Sequence, residues 1–284
     1  MDHLWLLGPA LLLTGAWLLS RSLAQISESY RLSKFALGMT LSAFAVSAPL
    51  ALFSQRHGIA GSDTLRAMLD YNIANIGLVL GLFLIFSPLR FPKHAKWITL
   101  PLLFLVYLIL LLILLGGKVS QVEGVYLLLV FALYIISQFF TIPSRNKSKT
   151  NKPWLPIALA FVGIGLLAGG SLFFSEETFF AVRGLSWPLL AVALVGVIRK
   201  EGELVLGTVL GSCIFNLLLT LPIKAVEEPI LFSQKLLLID FPLMLAFTLL
   251  LWVLMIFGKR HLSRLDGTIL AASYGAYLVY LFFS

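Results

Sequence analysis

Nine residues of this 284-residue chain combine the types and spacing needed to hold a small ion or solute inside a membrane. Ser47 and Ser186 each stand two residues before a proline, Pro49 and Pro188, in the middle of an apolar run. Downstream of each, "YNIAN" (71–75) offers Tyr71, Asn72 and Asn75, and "SCIFN" (212–216) offers Ser212 and Asn216. Asp70 and Arg183 are the charges closest to these groups in sequence. Hydroxyl and amide oxygens can replace part of the hydration shell of a weakly hydrated cation, or hydrogen-bond a polar solute. A carboxylate and a guanidinium add proton or anion chemistry. Enzyme chemistry is not expected: isolated serines make no catalytic triad without a nearby histidine. The four histidines, His3, His57, His94 and His261, lie in or beside loops and form no metal-ligand cluster, so no cofactor and no resident metal are expected.

The elements that position these residues follow from composition. The chain is 60% hydrophobic and 12% charged, with a mean hydropathy of +0.98. Soluble domains do not have that balance. A helix needs roughly 20 apolar residues to cross a bilayer. About ten such runs are present: Leu4–Ser20, Phe35–Phe53, Thr64–Phe86, Trp97–Leu115, Val125–Thr141, Trp154–Phe174, Phe179–Ile198, Leu204–Ile223, Leu236–Phe257 and Ile269–Phe283. The connections are short, so no separate soluble domain is expected. The flank of the first run, Met1 to His3, lacks Lys and Arg, which predicts a retained helix rather than a signal peptide. Cys213 is the one cysteine and excludes an intrachain disulfide.

A net charge of +8 reads as loop charge in such a chain, not as nucleic-acid binding. With the N-terminus outside, the cytoplasmic loops hold 15 of the 21 Lys and Arg residues and the outer side six. Basic loops stay in the cytoplasm, so both termini are expected outside, in a bacterial inner membrane. The richest loop, "SRNKSKTNK" (144–152), reads either as a solvated topogenic linker or as a site for anionic lipid. Beyond the lipid bilayer, the expected partners are a small ion or solute, with a protein partner left open.

An internal repeat organises the runs. Pro49 and Pro188 are 139 residues apart, and Asn75 and Asn216 are 141 apart. Five helices per half invert the second copy, a common plan for secondary transporters. The division is a first repeat over 1–143 with its motif at 38–82, a basic linker at 144–153, and a second repeat over 154–284 with its motif at 184–223. Proline lacks an N–H and clashes with the preceding turn. Paired broken helices near the midplane therefore predict the transport site, against the plainer reading of two Pro kinks. The expected fold is thus an all-α integral membrane protein: about ten helices in two inverted five-helix repeats, with broken helices at the midplane. "GTVLG" (207–211) suits either close helix packing or backbone approach to a ligand.

These motifs resemble the alpha repeats of the cation/calcium exchanger superfamily, sodium–calcium exchanger type. "GMTLSAFAVSAPL" (38–50) is similar to the first half of the family's repeat, and "GLSWPL" (184–189) with "GTVLGSCIFN" (207–216) to the second copy. "LLLTGAWLLSRSL" (11–23) is similar to the family's first helix. The resemblance implies ten helices with the N-terminus outside, and a site between helices two, three, seven and eight. It also implies that the two family glutamates, its main cation ligands, are here replaced by Leu50 and Leu189. The ligand positions that survive are Ser47, Ser186, Ser212, Asn72, Asn75 and Asn216, with Tyr71 in place of the first-repeat serine and Asp70 in place of a glycine. From Gly15 to Pro49 is 34 residues and from Gly169 to Pro188 only 19, so the halves are not equivalent.

Calcium takes about six to eight oxygens, usually with several carboxylates. A mostly neutral site is expected instead to take a monovalent cation, a proton or another solute, with sodium or a proton as the coupling ion. The alternative is a transport-inactive relative serving as a scaffold or partner subunit. Asp70 is expected at a break in the third span, either as a site residue, as the cap of a half-helix, or paired with Arg66. Arg183 is expected either to meet Asp70 or to snorkel outward; Asp240 to be interfacial; Glu176 and Glu177 to be solvated.

Overall fold

The computed structural model describes residues 7–30, 32–56, 60–141, 154–173, 184–258 and 260–283. Ten membrane helices are seen among them: α1 (Leu7–Tyr30), α2 (34–56), α3 (Gly61–Phe86), α4 (Ala95–Leu114), α5 (Gln121–Thr141), α6 (Trp154–Ser171), α7 (Trp187–Arg199), α8 (Gly202–Glu227), α9 (Leu236–Phe257) and α10 (Arg264–Phe283). Nine of these have the length and apolarity to cross a bilayer; α7 is shorter because residues 174–183 fall outside the described residues. The all-helical membrane architecture expected from the sequence is present. Helix α1 runs ten residues past the expected end at Ser20, since Leu23, Ile26 and Ser27 keep a buried face going.

Four two-residue strands fix the topology: β1 (Leu89–Arg90), β2 (Lys118–Val119), β3 (Ile230–Leu231) and β4 (His261–Leu262). β1 pairs antiparallel with β4, and β2 with β3. Each pair takes one strand from each half of the chain. Helix α4, about 30 Å long at 1.5 Å per residue, separates the two pairs. So α3 ends at the β1/β4 end of the bundle, while α8 ends at the β2/β3 end. The equivalent helices α3 and α8 are therefore antiparallel, the mark of an inverted repeat.

The expected breaks take another form. Helix α2 continues through Pro49, which stands inside the α-helical stretch Ala43–Arg56. The packing of Val46 and Leu50 into the core holds this segment helical despite the missing N–H. Helix α3 likewise passes Asp70 unbroken, as α-helix from Gly61 to Ala74. The irregularity comes later, as widened π turns. They span Asn75–Leu80 in α3 and Asn216–Thr220 in α8, and recur at Ala95–Thr99 in α4 and Leu236–Asp240 in α9. A further π turn at Gly38–Ser42 lies in α2. Such turns are rare and concentrate at functional sites. Only α7 begins at its Ser-x-Pro motif. Ser186 caps it, its Oγ accepting from the Leu189 N–H at 3.4 Å, and Pro188 stands in the first turn where no N–H is needed.

Helix α8 lies at the centre. In its apolar window 94% of residues are buried, against 17% for α5 at the periphery. An all-round apolar sequence is what a central helix requires. Close crossings set the geometry. A Cβ on Gly207 would lie 2.3 Å from the Phe35 carbonyl oxygen, so "GTVLG" serves to bring α2 onto α8. The matching crossing in the other half has Gly184 against α3. Its φ is +74°, and a Cβ there would fall 2.1 Å from the Asp70 carbonyl oxygen. Both demands leave glycine alone at this position.

Candidate functional site

The polar turns of α3 and α8 face each other at the centre of the bundle. Asn216 Nδ2 donates to Asn72 Oδ1 at 2.9 Å, and Asn72 Nδ2 donates to the Cys213 carbonyl at 3.2 Å and reaches Met244 Sδ at 3.7 Å. Asn75 Nδ2 donates to Ser212 Oγ at 3.1 Å, and that hydroxyl donates to the Val209 carbonyl at 2.9 Å. Asn72, Asn75, Ser212 and Asn216 are all buried. The structure thus brings together four of the sequence-derived candidates in one neutral cluster. Below it Tyr107 and Thr248, also 141 residues apart, share a hydrogen bond of 3.1 Å.

Three buried oxygens close to this layer have no hydrogen-bond partner among the described residues: Ser47 Oγ, Asn75 Oδ1 and Thr220 Oγ1. Unpaired polar atoms are costly in a dry interior. Each is an acceptor that a cation or a hydrogen-bond donor could satisfy. Leu50 and Leu189, in contrast, are buried among apolar neighbours and supply no oxygen. Ser186 is occupied as the α7 cap. Tyr71 is buried next to the carboxylate of Asp70.

Asp70 is neither at a break nor the cap of a half-helix. Its side chain is buried and accepts from the Tyr277 hydroxyl at 2.7 Å. Arg66 turns elsewhere: its Nε lies 3.6 Å from Asp240 Oδ2. Asp240 is accordingly not interfacial but 2% exposed, drawn inward by the π turn that ends at this residue. Arg183, Glu176 and Glu177 lie outside the described residues. Among the described residues no group of His, Cys, Asp and Glu could hold a metal ion.

Tyr277 is the residue that sequence reasoning missed. A signal for it exists. "SQVE" (120–123) and "SRLD" (263–266) open α5 and α10, and a tyrosine follows each acid by 11 residues, Tyr134 and Tyr277. Both motifs form capping boxes, with Glu123 and Asp266 accepting from the backbone and hydroxyl of Ser120 and Ser263. Tyr134 donates to the Met39 carbonyl at 3.0 Å, at the α2 crossing, as Tyr277 does to Asp70 at the other.

An inverted pair of helical repeats with polar side chains converging on π turns at mid-bundle defines a multi-pass membrane transporter, not an enzyme. The sodium/calcium exchanger protein family matches residues 3–140 and 177–283, and the chain belongs to that family. Among its relatives, the uncharacterized membrane protein MJ0091 of Methanocaldococcus jannaschii is 29% identical, over 82% of this chain and 87% of its own length. The sodium/calcium exchanger MaX1 of Methanosarcina acetivorans is 23% identical over 98% of this chain and 97% of its own. The fold is that of the sodium-calcium exchanger NCX_Mj. The solved structure with sodium and strontium superposes with a TM-score of 0.83 over 98% of this chain and 99% of that one, at 22% identity.

Proposed function

We propose that this protein is a secondary transporter of the exchanger fold whose neutral centre selects a monovalent cation, a proton or another small solute over calcium. The observation that carries the reading is the pairing of two buried leucines, Leu50 and Leu189, with a centre of amides and hydroxyls. Stripping a divalent ion of water costs far more than neutral dipoles return. A singly charged ion needs less, and the unpartnered oxygens of Ser47 and Asn75 are the acceptors available to it. Sodium or a proton is the coupling ion in this reading. The basic residues of the sequence place the 144–153 connection in the cytoplasm and both termini outside, in a bacterial inner membrane.

A second reading is favoured by one observation: the amides of Asn72 and Asn216 already satisfy each other. A closed cluster of that kind suits a transport-inactive scaffold or partner subunit. Proteoliposome flux separates the two. Sodium uptake or proton-coupled pH change that needs Asn75 is expected. Saturable sodium-driven calcium flux would overturn the ion selectivity, and no flux of any ion would favour the scaffold.

A further inference from the structure

One crevice of about 570 Å³ lies outside the polar centre, walled by the last turns of α1, the first turns of α2, the end of α5 and the start of α6. Its volume falls within the ~300–1,000 Å³ common to ligand sites. Leu37, Leu41, Phe44, Ile135 and Phe161 give it aliphatic and aromatic walls. It opens sideways, since Leu41, Phe44 and Phe161 are all exposed. In a membrane protein that opening faces lipid. Thr40 offers the crevice nothing, because its hydroxyl donates to the Ala36 carbonyl at 2.9 Å. The floor is Phe215, flanked by the rings of Phe44 and Phe131 at 6.3 and 4.8 Å. The next residue is Asn216 of the amide cluster.

The crevice also has a charged end. It closes where α1 passes to α2 and α5 passes to α6. Residues 31–33 and 142–153 of the sequence, which make those two connections, contain Arg31, Arg145, Lys147, Lys149 and Lys152 and no acidic residue. Lys34, one residue on, is paired with Glu201 at 2.7 Å. Composition alone makes this end of the bundle attractive to anionic headgroups.

We infer that the crevice is a binding site for one acyl chain of an anionic phospholipid, its headgroup level with the basic connections and its chain end against Phe215. The site is independent of which solute the centre carries. A lipid seated there braces the wall of α2 that holds the Gly38–Ser42 π turn.

Native mass spectrometry of the full-length protein in mild detergent tests this, with dioleoyl phosphatidylglycerol and dioleoyl phosphatidylcholine, which share the same chains. One phosphatidylglycerol should be retained in preference to phosphatidylcholine, and the preference should shrink as salt rises. Leu41→Trp and, separately, Ile157→Trp fill the crevice from α2 and from α6. Each should weaken retention by about tenfold. Leu112→Trp, on the exposed surface of α4 away from the crevice, should leave it unchanged. Equal retention by the filled variants would overturn the site, as would a bound detergent or a second copy of the chain in place of lipid. Equal retention of the two lipids at all salt concentrations would overturn the anionic headgroup.

Discussion

The two crossings at the heart of the molecule are related by its internal repeat, yet they are built in opposite ways. Where α2 meets α8, the glycines are on α8: Gly207 and Gly211 lie against Phe35, Met39 and Ala43. Where the approach to α7 meets α3, the glycine is on the incoming segment, and Gly184 lies against Asp70. Asp70 is itself the counterpart of Gly211 at the 141-residue offset. The repeat preserves close approach and not the partner that gives up its side chain. Freed from that demand, α3 carries a carboxylate where α8 has only a hydrogen atom. The polar chemistry of the centre is therefore lopsided toward the first half: Asp70, Tyr71 and Asn72 against Gly211, Ser212 and Cys213.

The most severe way to break the comparison is Gly184→Val. It combines a positive φ, costing roughly 1–2 kcal/mol for an L side chain, with a Cβ 2.1 Å from a backbone oxygen that cannot yield. No monodisperse folded protein is expected in fluorescence-detected size-exclusion chromatography. Gly165→Ala, where nothing lies within 4 Å, should behave as wild type. A folded Gly184→Val protein would mean that this crossing is looser than its counterpart.

The tyrosines of α10 and α5 sharpen the comparison. Tyr277→Phe removes a hydrogen bond to a carboxylate, worth roughly 1.5–3 kcal/mol. Tyr134→Phe removes one to a backbone carbonyl, and such bonds within membranes average about 0.6 kcal/mol. Thermal unfolding in detergent should show the larger loss for Tyr277→Phe. Equal losses would say that Asp70 contributes no more than a neutral acceptor.

The amide pair comes next. Asn216→Leu leaves Asn72 Oδ1 without its donor and should cost about 1 kcal/mol. Asn72→Leu with Asn216→Leu should cost less than the two single changes added, because neither partner is then left unpaired. Strict additivity would show that the two side chains do not depend on each other.

Much of this was legible in the sequence, and the failures have physical causes. Helix number, the repeat and the meeting of Asn72, Asn75, Ser212 and Asn216 follow from hydropathy and spacing, which a bilayer enforces strictly. The break at Pro49 was misjudged because a missing N–H is a local cost. Whether the helix yields depends on Val46 and Leu50, whose burial only the assembled bundle fixes. Asp70 was assigned to its own helix because sequence reasoning pairs a charge with near neighbours. Its hydrogen-bond donor is 207 residues away on α10. Asp240 was placed at the interface by its distance from the end of an apolar run, and a π turn, invisible to hydropathy, carries it inward to Arg66.

The smallest expected effect concerns another pair of equivalent positions, the residues just ahead of the π turns in α4 and α9: His94 and Lys235. His94 lies outside the membrane-spanning segment and stands edge-on to the Phe35 ring, 5.0 Å between centroids. Its Nε2 has no hydrogen-bond partner among the described residues. Burial holds its pKa below the ordinary 6.5, because the cationic form loses more on leaving water. The unfolded chain therefore binds a proton more readily than the folded one, and stability rises with pH across that interval. As pH falls below about 6.5, where the unfolded histidine titrates, the protein should lose stability. The loss should level off once the folded histidine also becomes charged. Phe35 opens α2, so this penalty acts at the base of the helix that crosses α8. His94→Gln has no such titration, and its unfolding temperature should vary less than that of wild type between pH 5 and pH 8, a range that brackets ordinary histidine titration. An unchanged pH dependence in the variant would assign the acid sensitivity to other groups, and would leave the His94 side of the comparison no different from the Lys235 side.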